Sequence, residues 1–114
     1  MQAVVTTITI SELTNMAEKM YGNLVKGVVD LSSEKLVLDA EMHADEEAYL
    51  LEEGSVQADL WGINLYPDKF KSEDFIEFDS MINIRPRQKN MSRGVEDSSI
   101  QKKIIQIVNK KVLQ

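Results

Sequence analysis

Residues 60–66, Leu60-Trp61-Gly62-Ile63-Asn64-Leu65-Tyr66, decide how this chain folds. In an extended strand successive side chains point to opposite faces. Read with that period, Trp61, Ile63 and Leu65 share one face, and Leu60, Gly62, Asn64 and Tyr66 share the other. The first face is large and apolar and demands burial; the second is smaller and mixed. Trp61 reads as a core anchor, with Gly62 left small beside it.

Working outward, the same period fits 75–85 (FIEFDSMINIR). There Ile76, Phe78, Ser80, Ile82 and Ile84 oppose Phe75, Glu77, Asp79, Met81, Asn83 and Arg85. It also fits 35–43, where Leu36, Leu38, Ala40 and Met42 oppose Lys35, Val37, Asp39, Glu41 and His43. The β-branched run 3–10 and residues 27–32 supply two further strands. Ser32-Ser33-Glu34 turns the chain between 27–32 and 35–42, and Pro67 to Asp74 joins 60–66 to 75–85 as an antiparallel pair.

Helical spacing takes over elsewhere. Leu13, Met16, Ala17, Met20, Tyr21 and Leu24 form one stripe, with Ser11 as the expected cap. Asp45 is placed to cap a short helix ending near Gly54, and Asp97 or Ser98 to cap a last one. In that helix Ile100, Ile104, Ile107 and Val108 share a face. The order β-α-β-β-α-β-β-α predicts an α+β, two-layer single domain over 1–114. Its mixed sheet of about five strands carries helices on one face and leaves the other open.

The chain has 114 residues and no cysteine, which excludes disulfides, thiolate-held zinc and thiol catalysis. No apolar run is long enough for a membrane helix and no signal-peptide pattern opens the chain, so a soluble cytoplasmic domain is expected. The net charge of −6 hides a division. Residues 1–79 carry 17 acids and 5 bases; residues 80–114 carry 2 acids and 8 bases. Within the latter, Arg85, Arg87, Lys89 and Arg93 form a basic loop without an acid. Internal charge complementarity between the two parts explains this division, and an anion site at 85–93 is the sharper reading. Too few bases and no interleaved aromatics argue against nucleic acid.

The open face gathers the candidate chemistry. Glu41, His43, Asp79 and Arg85 are candidate catalytic residues. Asn64, Tyr66, Asn83, Arg85, Arg87, Lys89 and Arg93 are candidate ligand contacts. Glu41, His43, Asp45 and Asp79 could hold a divalent metal such as Mg²⁺ or Mn²⁺. One histidine is too few for a His-rich zinc site. No G-x-S-x-G elbow or Gly-rich phosphate loop is present.

Several stretches then resemble a known family together: Met20-Tyr21-Gly22, Val25-Lys26-Gly27-Val28-Val29-Asp30, Glu41-Met42-His43-Ala44-Asp45, Asp59 through Pro67, Glu77 through Pro86, and Val95-Glu96-Asp97. The chain is similar over nearly its whole length to short prokaryotic proteins of unknown function, a resemblance that implies no activity, cofactor or catalytic residue. Two functions are therefore expected to compete. The first is a binding or interaction protein using the open face or the basic loop, for a small anion, a protein partner or a second copy. The second is a metal-dependent hydrolase or nuclease acting on an anionic substrate.

Overall fold

The computed structural model describes residues 3–114. Its central sheet contains β1 (Ala3–Val5), β3 (Val25–Asp30), β4 (Lys35–Leu38), β5 (Leu60–Leu65) and β6 (Ile76–Glu77) in the order β1-β4-β3-β5-β6. Three helices accompany it: α1 (Ile10–Met20), α2 (His43–Glu52) and α3 (Ser98–Lys111). The α+β class and the five-stranded sheet are as the sequence predicts. Every pairing in the sheet is antiparallel, however, so it is not mixed. Among the described residues, parallel pairing occurs only in a separate ribbon of β2 (Ile8–Thr9) with β7 (Val112–Leu113).

Local chemistry shifted several boundaries. The first strand does not run to residue 10, because Thr9 and Glu12 form a reciprocal capping box that starts α1 at Ile10 rather than after Ser11. The helix stops at Met20, and Gly22 follows at φ +90°, a left-handed turn that glycine adopts at least cost. The β3–β4 turn needs no Asn-Gly pair. Asp30 Oδ1 accepts from the backbone N–H of Ser32 and of Ser33 and folds the chain back on itself. β4 ends at Leu38 because Asp39 turns to φ +72°, so Glu41 and His43 do not continue that strand. Met42 then occupies the N-cap of α2 without a side-chain cap, and Asp45 lies in the first turn instead of capping it.

The largest departure is 75–85, where only Ile76 and Glu77 are strand and Met81–Asn83 form a 3₁₀ turn. Ser80 Oγ accepts from Ile82 N and starts that turn. Ser80 also crosses directly over Gly62: a Cβ added at Gly62 would lie 2.5 Å from Ser80 Cβ. Past β6 the outer edge of β5 is met by side chains instead. Gly62 N–H donates to Asn83 Oδ1 (2.8 Å), Asn83 Nδ2 donates to Gly62 O (3.0 Å), and the Arg85 guanidinium donates to Leu60 O.

Both faces of the sheet are covered, which corrects the expected one-sided arrangement. On one face Val25, Val29, Leu36, Leu38, Trp61, Ile63 and Leu65 pack with Leu13 and Ala17 of α1 and Ile104, Ile107 and Val108 of α3. On the other, Val28, Val37 and Leu60 pack with Leu50 of α2 and with Ile82. The physical reason is visible in those side chains: the second face carries its own apolar group, which water would penalise if left bare. Among the described residues no helix is long and apolar enough to cross a membrane.

Candidate functional site

The second face is not sealed from end to end. Where α2 begins and the 80–93 segment passes over β5, a cleft of about 150 Å³ remains, lined by Lys26, His43, Asn64, Asp79, Met81 and Arg93 among others. Strand register builds its floor. Lys26 on β3 stands opposite Asn64 on β5, and Asn64 stands opposite Glu77 on β6. All three side chains therefore project to the same side.

Asn64 Nδ2 donates to Glu77 Oε1 at 2.8 Å, and Tyr66 OH donates to the same oxygen at 3.0 Å. Burial, then the Glu77 carboxylate it touches, raises the Tyr66 phenol above its ordinary pKa. Asn64 is only 6% exposed, and its Oδ1 is buried without a hydrogen-bond partner among the described residues. At the rim the Arg93 Nε–Asp79 Oδ1 ion pair spans 2.7 Å.

His43 is the first residue of α2 and is buried. Its Nε2 lies 2.8 Å from the carbonyl oxygen of Ile63, an atom that can only accept, so Nε2 carries the proton. Burial is the main cause holding the ring below its ordinary pKa; the Ile63 carbonyl opposes this and the Lys26 charge adds to it. The neutral ring then has its lone pair on Nδ1. The end of α2 adds to the site, since Met42, His43 and Ala44 all line the cleft and no side chain caps the helix. Free N–H groups at a helix start carry a partial positive charge.

The sequence-named residues divide accordingly. His43, Asn64, Asp79 and Arg93 meet in the cleft, and Tyr66 joins them through Glu77. Glu41 and Asp45 are exposed, and the backbone carbonyl of Glu41 accepts from Tyr21 OH. Asn83 is fully buried and committed to Gly62 and to Arg93 O. Arg85 is spent on structure: it stacks 4.6 Å from the Trp61 ring and bonds Leu60 O, Ile82 O and Gln88 Oε1. Arg87 and Lys89 are exposed on the Pro86–Gln88 turn and the residue after it. Of the four bases of 85–93, Arg85 is thus held by backbone and ring contacts and Arg93 by Asp79. Among the described residues no three His, Asp or Glu side chains are gathered for a metal ion.

Two residues escaped the sequence reading. Lys26 belongs to the cleft, and its register opposite Asn64 depends on strand order. Glu46 lies fully buried one turn after His43, and burial pushes its carboxyl up to about 10. Its Oε2 accepts from Ala40 N at 3.3 Å, while Oε1 has no partner among the described residues. The one available signal was its spacing, three residues after His43 and four before Leu50, on the stripe that faces the sheet. A larger groove of about 580 Å³, lined by Phe70, Phe75, Ile76, Phe78, Ile105 and Val112 among others, contains none of the candidate site residues named from the sequence.

Residues 2–111 match the model of a family described as a protein of unknown function, DUF5674. No curated protein and no solved structure matches the chain.

Proposed function

The chain belongs to that family, and from the geometry of its polar cleft we propose that it is a binding protein for a small anion bearing a hydrogen-bond donor. The anionic group sits against the uncapped start of α2, with Lys26 and Arg93 as the nearby cations. The neutral imidazole of His43 and the Oδ1 of Asn64 accept from the ligand's donor. The observation carrying this reading is the buried Asn64 Oδ1 without a partner among the described residues, since such a group costs about 1–3 kcal/mol unless something donates to it. Arg93 is paired with Asp79, and Lys26, whose ammonium lies 4.8 Å from the centroid of the Tyr21 ring, has no acidic partner among the described residues and supplies the larger share of attraction.

Inorganic phosphate is the direct probe, because at neutral pH it offers both negative charge and an O–H. Sulfate is the control of similar size without that proton. Titrated into uniformly ¹⁵N-labelled protein, phosphate is expected to move the amide signals of His43 and Ala44 at the helix start. Sulfate is expected to bind about ten-fold more weakly, the equivalent of roughly one hydrogen bond. Lys26→Ala should abolish the phosphate response. Silence of those amides toward both anions up to tens of millimolar overturns the proposal.

A further inference from the structure

We propose that two copies of the chain associate about a two-fold axis, the basic 81–91 loop of each resting on the outer face of α2 of the other. This rests on features of the surface and not on the proposed ligand, although Ala44 and Met81 belong both to these surfaces and to the lining of the cleft.

The first observation is that α2 buries acidic side chains beside Leu50 and leaves small and apolar ones outside. It buries Glu46 completely and Glu47 partly, while Ala44, Ala48 and Leu51 are exposed. Their spacing of four and three places them on one stripe, and the neighbouring exposed side chains Asp45 and Glu52 are acidic. An ordinary surface helix shows the reverse pattern.

The second observation is a rigid loop that displays apolar groups. Met81 and Ile84 stand three residues apart across a 3₁₀ turn, where such positions eclipse, and Ile84 N donates to Met81 O. The Arg85–Asn90 bridge sets Met91 beside Ile84. Met81 and Met91 are each 66% exposed, and Arg87 and Lys89 flank them. The loop is fixed from within: Asn90 Nδ2 donates to Asn83 O and Gly94 O, and its Oδ1 accepts from Glu96 N. Ordering the loop on contact therefore costs little.

The two surfaces are complementary, one apolar with acids and the other apolar with bases. They are also neighbours. Ala44 of α2 and Met81 of the loop line the same cleft. Adjacent complementary patches close on themselves when a two-fold axis passes between them, giving a dimer in place of an open chain.

Sedimentation velocity of the full chain, from micromolar to hundreds of micromolar, tests this. At about 50 mM salt a dimer is expected, and about 500 mM salt should weaken it roughly ten-fold. Arg87→Glu with Lys89→Glu should give a monomer, and so should Asp45→Lys with Glu52→Lys. Mixing the two variants should restore a mixed dimer. Circular dichroism establishes that each variant is folded. A chain that is monomeric at every concentration in low salt, or a dimer indifferent to both charge reversals, overturns the inference.

Discussion

The side-chain amide of Asn83 is bonded to both backbone groups of Gly62, accepting from its N–H at 2.8 Å and donating to its carbonyl at 3.0 Å. One amide thus does what the peptide unit of a neighbouring strand does elsewhere in the sheet. Asn83 Nδ2 also reaches Arg93 O at 2.9 Å, which ties the loop to the same point. Asn83→Ala leaves three backbone groups without this partner, of which the Gly62 pair is buried. It should lower stability by about 2–4 kcal/mol, read from the urea unfolding midpoint.

Gly62 is required by close approach. Gly62→Ala places a Cβ 2.5 Å from Ser80 Cβ and 2.6 Å from Ser80 Oγ. The expected loss is about 1–3 kcal/mol, the range for overpacking a filled interior. Ser80→Gly in the same chain should recover part of it, a coupling that a double-mutant cycle measures.

Glu46 makes stability depend on pH at the alkaline side. Its carboxyl titrates near 10 when folded, against an ordinary value of 4.5, so the folded chain holds a proton that the unfolded chain releases. That contribution is complete below about 4.5 and is lost as pH rises toward 10. Glu46→Gln removes the proton requirement while keeping an acceptor for Ala40 N. The variant should gain on the order of 2 kcal/mol or more over the parent at pH 8. Its thermal midpoint should also be flatter between pH 6 and pH 9.

His43 acts from the opposite side. Its folded pKa lies below the ordinary 6.5, so the unfolded chain binds the extra proton first. The contribution is present above about 6.5 and fades as pH falls through the folded value. His43→Gln should remove that acid-side slope. In the parent, the imidazole carbon shifts observed by NMR should mark the neutral ring with its proton on Nε2 at pH 7.

The fold was readable where one period governed a whole element. Residues 60–65 alternate because β5 turns Trp61, Ile63 and Leu65 toward α1 and α3 and Leu60 toward α2 and Ile82 on the opposite face. The final helix was readable because Asp97 caps it and its apolar residues keep one stripe. Residues 75–85 looked equally periodic, yet the strand stopped at Glu77. What stopped it is a contact between Gly62 and Ser80 and a bond between Gly62 and Asn83, partners distant in sequence. The expected bare face failed for a plainer reason: Val28, Val37 and Leu60 already made it apolar. His43, Asn64, Asp79 and Arg93 were legible as polar groups within or beside apolar runs, and Lys26 was not, because its place depends on which strand lies beside β5.

The thinness of β6 has a consequence for how this protein would fail. Because Asn83 and Arg85 hold the rim of β5, a local opening of their loop uncovers Leu60 and Gly62 as bare hydrogen-bonding groups inside an otherwise intact molecule. Such a rim accepts any extended stranger that offers matching amides. Damage at Asn83 should therefore announce itself first as slow polymer growth in concentrated solution, while spectroscopy still reports a native fold.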